Sequence, residues 1–261
     1  MGFLISLQFL TRVPVNMSRL VDTRDIARSM ACFPVIGLLL GAFLAVLNAL
    51  LSRVLPGSVC DLTVIAAMVL VTGNMHGDGL MDTADGIYSG KPPERILEIM
   101  RDSRVGSHGV MAGMLVLLAK FILLGQIPPG AKWMALVLMP AVGRWAQVYC
   151  AAVYPYARSG GGTGGFSDFV GTRELIWASL TVAAAGAALF YLKSMIFTGT
   201  VFTGAVVAAG TAILAGIVVF AGTAAFGRYI SRKIGGMTGD TLGAVNELAE
   251  VLALVVLLII L

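Results

Sequence analysis

Charged residues are scarce in this chain of 261 residues: Asp, Glu, Lys and Arg together make up 12%, whereas hydrophobic residues make up 58%. A typical soluble domain contains about 25% charged and about 45–50% apolar residues. This deficit of charge excludes an ordinary soluble domain. The composition therefore predicts a protein that crosses the membrane several times.

Cysteine and strand-like patterns are also lacking. The three cysteines, Cys32, Cys60 and Cys150, are scattered, which excludes both a disulfide framework and a cysteine-based metal site. No segment alternates with the period of a strand, no strong internal repeat occurs, and no soluble domain is evident. We therefore expect an all-α fold in which residues 1–261 form a single transmembrane catalytic domain. The first residues lack the order of a signal peptide and are expected to form an amphipathic segment on the membrane surface.

Long apolar segments are abundant, and about 20 such residues suffice to cross the hydrocarbon layer. We identify seven candidate spans, of which the second and the fifth are short: 29–52, 59–75, 108–125, 133–153, 174–191, 200–226 and 241–261. Seven spans place the two ends of the chain on opposite sides of the membrane.

The distribution of Lys and Arg predicts the orientation. If the amino terminus is cytoplasmic, only Arg53, Lys132 and Lys193 fall outside, Lys120 and Arg144 fall within spans, and every other Lys and Arg is cytoplasmic. Cytoplasmic loops are typically rich in Lys and Arg. The sequence thus predicts a multi-pass inner-membrane protein with a cytoplasmic amino terminus and active site and an external carboxyl terminus. We attribute the basic pI to these loops and not to nucleic-acid binding.

The stretch HGDGLMDTADG at 76–86 carries three aspartates, Asp78, Asp82 and Asp85. In a helix these positions lie on one stripe, because residues i, i+4 and i+7 share a face. Three like charges on one stripe repel one another, which indicates a cation such as Mg²⁺ together with substrate phosphates. A solvated acidic helix end is the structural alternative. His76 is open to three interpretations: ligand, base or surface residue.

A second segment, 94–109, reads ERILEIMRDSRVGSHG and is expected to form an amphipathic helix at the interface. Arg101 and Arg104 can bind a phosphate, because the planar guanidinium matches two phosphate oxygens at once. Ser103 and the loop at 106–109 can line the same anion site. The alternative is an interfacial helix whose charges only pair with one another.

A third segment, 235–250, reads GGMTGDTLGAVNELAE, and we expect a glycine-rich loop followed by a helix capped by Thr238 or Asp240. Amides at such a helix start can bind phosphate. Glu247 and Glu250 fall inside the last span, where ionisable groups are costly and usually face a cavity. Snorkelling of the two glutamates to the interface is the alternative. Arg144 within the fourth span is expected to pair with an acid or to contact an anionic substrate.

Five blocks of this sequence resemble the cobalamin synthase (adenosylcobinamide-GDP ribazoletransferase) family in the same order along residues 8 to 250. They are FLTRVPV, HGDGLMDTADG, ERILEIMRDSRVGSHGV, GRW and GGMTGDTLGAVNELAE. The aspartate block and the MRDSRVG block are long and specific. The chain departs from the family at Gly77, where leucine or phenylalanine is more usual.

The resemblance implies an integral membrane enzyme that needs Mg²⁺. It would join adenosylcobinamide-GDP to α-ribazole or its 5′-phosphate, release GMP and yield adenosylcobalamin or its 5′-phosphate, as the last stage of nucleotide-loop assembly. The partners implied are these two substrates and membrane lipid, with no nucleic acid; a second copy of the chain and other nucleotide-loop enzymes stay open as partners.

The resemblance also suggests roles for the residues singled out above. The expected metal ligands are Asp78, Asp82, Asp85, Glu247 and Glu250. The expected catalytic residues are Asp82, Asp85 and His76, and the proton acceptor is open between Asp85, His76 and Glu247. The expected phosphate-binding residues are Arg101, Ser103, Arg104, Arg144, Thr238 and Asp240.

Two other functions compete with this one. The aspartate block also looks like the signature of CDP-alcohol phosphotransferases, but the Ala-Arg pair and the two later aspartates of that signature are absent. A cation transporter would place acids mid-span in two related halves. Here the acids cluster toward one surface and no halves repeat, which disfavours a transporter.

Overall fold

The computed structural model describes residues 1–17, 20–158, 165–198 and 201–261, and within these ranges the regular structure is entirely helical. Most of the glycine-rich stretch at 159–165 lies outside the described residues. The helices, in chain order, are α1 (Gly2–Leu10), α2 (Thr23–Ser29), α3 (Phe33–Leu51), α4 (Gly57–Thr72), α5 (Met75–Tyr88), α6 (Pro93–Ile99), α7 (Ser107–Gln126), α8 (Pro129–Val153), α9 (Thr172–Thr198), α10 (Val201–Ile234) and α11 (Gly239–Ile260). Two short 3-10 turns, Met30–Cys32 and Gly165–Phe169, precede α3 and α9.

Six long helical segments in the described residues are apolar enough to cross a membrane, and α4 with α5 passes the same test as a bent pair. Each of the seven predicted spans corresponds to one of these helices. The prediction of an all-α, multi-pass membrane protein is therefore confirmed.

The bend between α4 and α5 positions the aspartate stretch. Gly73 and Asn74 both have positive φ angles, 65° and 58°, and the two helices meet at 88°. Glycine adopts this left-handed conformation without cost and asparagine tolerates it. The apolar α4 therefore ends at Gly73, and the polar α5 turns away from it as a separate helix that is not one of the six spanning segments.

Helix α8 is the centre of the bundle and packs against α3, α9 and α11. Two glycines of α3 allow the closest of these contacts. A Cβ atom on Gly37 would lie 2.6 Å from the Pro140 carbonyl oxygen, and one on Gly41 would lie 2.5 Å from the Leu136 carbonyl oxygen. Small residues one turn apart let membrane helices approach closely, so α3 and α8 form a tight pair that supports the bundle.

Side-chain contacts divide the helix ends into two opposite faces. On one face, Lys132 binds Asp61, and the Lys193 Nζ atom donates to the Leu261 carbonyl oxygen. The opposite face carries the carboxyl end of α4, all of α5 and the amino ends of α7 and α11. The residues of the three sequence segments singled out above thus share this second face or the spans directly beneath it.

Candidate active site

The HGDGLMDTADG stretch is helical, as predicted, and forms α5. Asp78 is exposed on this helix, whereas Asp82 and Asp85 are half-buried. Helix α5 packs across the first turns of α7 and α11. Gly79 permits the second of these contacts, because a Cβ atom there would lie 2.6 Å from the carbonyl oxygen of Asp240.

Asp240, in the first turn of α11, adds a fourth carboxylate to this group. Its Oδ2 atom accepts a hydrogen bond of 2.7 Å from Nη2 of Arg158. Two backbone hydrogen bonds hold the segment before Arg158 against the segment before α11. The amide of Ala157 donates to the carbonyl oxygen of Met237, and the amide of Met237 donates to the carbonyl oxygen of Pro155. We call Asp78, Asp82, Asp85 and Asp240 the aspartate group.

The negative charges of the aspartate group repel one another. Burial, the largest cause, raises the pKa of Asp82 from 3.8 to about 7. The negative charges of the other three aspartates act in the same direction, and the guanidinium of Arg158 opposes them. The site therefore carries more negative charge than the described cations neutralise, a condition that a divalent cation would relieve.

Asp85 also holds the start of α7. Its Oδ2 atom accepts from the amide of Gly106 at 2.7 Å, and its Oδ1 atom accepts from the amide of Gly109 at 2.8 Å. A Cβ atom on either glycine would lie 2.4 Å from this carboxylate. The loop at 106–109, predicted to line an anion site, thus binds a carboxylate of the protein through two of its backbone amides, as is favourable at a positive helix terminus.

Glu247 and Glu250 lie in a different group, buried among α7, α8 and α11. Nζ of Lys120 binds Glu247 at 2.7 Å and Glu250 at 2.5 Å, and Nη1 of Arg144 binds Glu250. Nδ2 of Asn246 donates to Glu250 at 3.0 Å. The predicted pairing of Arg144 with an acid is present. We call Lys120, Arg144, Glu247 and Glu250 the buried charge network.

His76 connects the aspartate helix to this network. Nη2 of Arg144 lies 3.4 Å from Nδ1 of His76, and the imidazole is 3% exposed. Because a guanidinium only donates, Nδ1 accepts and the proton of a neutral ring resides on Nε2. Nε2 is buried without a partner in the described residues. His76, Arg144 and both glutamates line a cavity of about 200 Å³, so His76 can offer Nε2–H to a bound oxygen atom.

The arginines of the MRDSRVG block lie at the surface. Arg104 binds Asp102 through Nε and Nη2, with 2.7 Å from Nη2 to Oδ2. These hydrogen bonds lower the pKa of Asp102 to about 2. Arg101 and Ser103 are exposed beside this pair. The helical part of this segment, α6, ends at Ile99, so Arg101 to Gly106 form a loop between α6 and α7.

The third segment folds as predicted at its helix start. Thr238 is the N-cap residue of α11: its Oγ1 atom accepts from the amide of Thr241 at 3.2 Å, and the amide of Thr238 donates to Oγ1 of Thr241 at 2.7 Å. Thr238 is fully buried. Asp240, the other predicted capping residue, does not cap the helix but binds Arg158.

Sequence reasoning missed Lys120, Asn246 and Arg158 as members of these groups. A lysine in the middle of an apolar span is itself a signal, because such a charge is costly without a partner. Nothing in the local sequence marks Arg158, which reaches Asp240 across 82 residues.

Within the described ranges, no three His, Cys, Asp or Glu side chains are already arranged to hold a metal ion. The donors present nevertheless suit Mg²⁺, which prefers carboxylate oxygen and keeps several waters. The aspartate group offers such oxygens at a place with excess negative charge, whereas Lys120 and Arg144 already neutralise both glutamates. Asp78, Asp82 and Asp85 are thus the part of the predicted ligand set that fits a divalent cation.

Comparison with known proteins identifies relatives that match nearly the whole chain. A family model described as cobalamin-5-phosphate synthase matches residues 2–258. A protein named adenosylcobinamide-GDP ribazoletransferase from Desulforamulus reducens is 35% identical over 94% of this chain and 91% of its own length. Proteins of the same name from Thermoanaerobacter pseudethanolicus (35% identical, 96% and 94% covered) and Geotalea daltonii (36% identical, 99% and 97% covered) match equally well. No solved structure matches the chain significantly.

Proposed function

The chain belongs to the cobalamin-5-phosphate synthase family, and from this premise we propose its reaction in detail. The family and the relatives support an enzyme of cobalamin biosynthesis that joins adenosylcobinamide-GDP to a ribazole. The finer proposal is that α-ribazole, or its 5′-phosphate, displaces GMP in a Mg²⁺-dependent reaction that completes the nucleotide loop. Neither a CDP-alcohol transferase nor a transporter is supported by these relatives.

The aspartate group is the observation that carries the proposal. Four neighbouring carboxylates, of which Asp240 alone is paired with an arginine among the described residues, suit a substrate that arrives as a magnesium diphosphate at the end of a membrane bundle. We propose that Asp78, Asp82 and Asp85 hold the ion, with Asp240 beside them. When bound, Mg²⁺ would neutralise charge that develops on the phosphate oxygens.

The bond changes follow from the substrates. A ribose hydroxyl oxygen of α-ribazole attacks the phosphorus attached to cobinamide, the bond from that phosphorus to the bridging oxygen breaks, and GMP leaves. Phosphoryl transfer of this kind depends mostly on positioning and electrostatics. The protein must therefore hold two large substrates in line beside the aspartate group.

Other residues take supporting roles in this proposal. Arg101 and Arg104 lie in the exposed loop before α7, where the diphosphate would replace Asp102 as the partner of Arg104. His76 acts as a hydrogen-bond donor through Nε2 and not as the base, because Nδ1 already accepts from Arg144. Glu247 is held by Lys120. The proton acceptor therefore falls to the aspartate group.

The buried charge network positions α5 and α11 in this scheme. Glu250 binds Arg144, and Arg144 contacts His76 at the start of α5. We propose that Glu247 and Glu250 act through this network and not as direct ligands of the ion.

Product analysis of the purified full-length protein tests the function. With adenosylcobinamide-GDP, α-ribazole and Mg²⁺, we expect GMP and adenosylcobalamin in equal amounts, and a chelator should stop the reaction. Asp82→Asn should reduce turnover by at least about a hundredfold, because it removes charge that interacts with the transition state. Glu94→Gln, which changes an exposed acid on α6, is the matched control and should retain activity. Absence of GMP release by the folded wild-type protein would overturn the proposal.

A further inference from the structure

A cavity with aromatic walls lies beside the aspartate group, and the phenylalanines of these walls have no part in the scheme above. It measures about 230 Å³ and is lined by Phe9, Phe33 and Phe166. The rings of Phe9 and Phe33 lie 5.7 Å apart at 24°, and those of Phe9 and Phe166 lie 5.5 Å apart at 84°. Three phenylalanines from α1, α3 and the turn before α9 thus form one aromatic wall.

The same cavity has a polar end. Asp78 and Asp240 line it together with His76, so it opens directly onto the aspartate group. Most of the other lining side chains are apolar, including Met30 and Leu242. An apolar, aromatic space that ends at carboxylates is suited to a flat ring system joined to a polar sugar.

The two flat ring systems of the proposed substrates differ in polarity. Guanine carries donors and acceptors along most of its edge, and each would need a partner inside a cavity. The dimethylbenzimidazole of α-ribazole is apolar apart from one free ring nitrogen. Gln147 also lines the cavity and is 5% exposed. The free ring nitrogen only accepts a hydrogen bond, so the amide Nε2 of Gln147 is the donor that suits it. The three phenyl rings offer no partner to the donors and acceptors of a guanine edge, whereas they suit the apolar edge of the benzimidazole.

We propose that this aromatic cavity binds the benzimidazole base of α-ribazole and thereby directs the attacking ribose hydroxyl toward the aspartate group. The inference rests on the proposed function and adds the binding site of the nucleophilic substrate. It also gives a role to the FLTRVPV block, whose first residue is Phe9. Phe9, Phe33, Phe166 and Gln147 are then specificity-determining residues.

Steady-state kinetics with both substrates test the assignment. Phe33→Leu and Phe166→Leu keep an apolar side chain but remove the aromatic face. Because stacking of a base on an aromatic ring is worth roughly 1–3 kcal/mol and 1.4 kcal/mol is tenfold, the KM for α-ribazole should rise about tenfold. The KM for adenosylcobinamide-GDP should stay within about twofold. Phe190→Leu, at a buried phenylalanine on α9 outside this cavity, is the matched control and should change neither constant.

Two kinetic outcomes would overturn the inference. An unchanged KM for α-ribazole in both folded variants would show that the base binds elsewhere. A selective rise in the KM for adenosylcobinamide-GDP would place guanine in the cavity. If the wild-type protein releases no GMP at all, the proposed function itself has failed, and this result is distinct from the other two.

Photolabelling of the wild-type protein tests the site without any variant. A riboside of an azido-benzimidazole should label peptides that contain Phe9, Phe33 or Phe166, and excess α-ribazole should suppress the labelling. Suppressible labelling confined to other peptides would contradict the assignment.

Discussion

Asp82 is half-buried beside the other carboxylates of the aspartate group, and both its burial and their charges disfavour its ionised form. Its pKa of about 7 lies above the 3.8 of a free aspartate, so the folded state holds the proton more tightly than the unfolded chain. The stability contributed by the protonated form is complete below about pH 4 and is lost as the pH rises through about 7. A cation bound at the site would remove the same repulsion.

We therefore expect protons and Mg²⁺ to compete at Asp82. A ligand that must lose a proton binds metal more weakly below its pKa. The affinity for Mg²⁺, measured as the ion-induced rise in melting temperature of the purified protein, should be about tenfold lower near pH 6 than near pH 8. Activity need not be measured.

The Asp82→Asn variant controls for other titrating groups. Its residual affinity for Mg²⁺ should be nearly independent of pH across this range, because the titrating carboxylate is gone. An equal affinity of the wild-type protein near pH 6 and near pH 8 would mean that Asp82 does not contact the ion.

The contrast between Asp82 and Lys120 shows which site residues the sequence can predict. The stripe of Asp78, Asp82 and Asp85 follows from local helix periodicity, and these residues do lie on one helix, α5. Lys120 meets Glu247 across 127 residues, and no local pattern encodes such a contact. The aromatic wall was missed for the same reason, since its three rings come from distant segments and each alone resembles an ordinary core residue.

At the scale of helices, hydropathy predicted the spans but not the break between α4 and α5. The predicted span at 59–75 continues two residues past Gly73. The chain instead turns by 88° at two residues with positive φ. A Gly-Asn pair permits such a turn without requiring it. The bend therefore depends on the packing of α5 against α7 and α11, which local sequence does not reveal.

The buried charge network joins α7, α8 and α11 through Lys120, Arg144 and Glu250. Removing one member leaves an uncompensated charge, at a cost of about 3–5 kcal/mol for a buried pair. Glu250→Gln should therefore lower the thermal stability of the purified protein markedly, as measured by circular dichroism.

An exposed ion pair supplies the comparison. Arg95 and Glu98 on α6 are 64% and 62% exposed, and such pairs are worth about 0–1 kcal/mol. Glu98→Gln should melt close to the wild type. Equal melting temperatures for Glu250→Gln and Glu98→Gln would show that the network does not hold the three helices together.

At the scale of the whole molecule, the two faces of the bundle differ in the number of charged side chains that they carry. The face with Asp61, Lys132 and Lys193 has few charges, and its buried pair Asp61–Lys132 is closed by hydrogen bonds of 2.7 and 3.0 Å. The opposite face bears the aspartate group, Arg158 and the loop with Arg101. Since nucleotide substrates are made in the cytoplasm and Lys and Arg favour that side, we expect the aspartate face to be cytoplasmic.

Labelling of single added cysteines can decide this orientation. Ser58 and Lys91 are both exposed and lie at opposite faces, at the start of α4 and after the end of α5. In intact cells, a membrane-impermeant maleimide should label Ser58→Cys and spare Lys91→Cys, and both should react after the membrane is opened. The wild-type protein measures the background from Cys32, Cys60 and Cys150. The reverse pattern would place the aspartate group outside the cell, where neither the positive-inside rule nor a supply of nucleotide substrates could account for it.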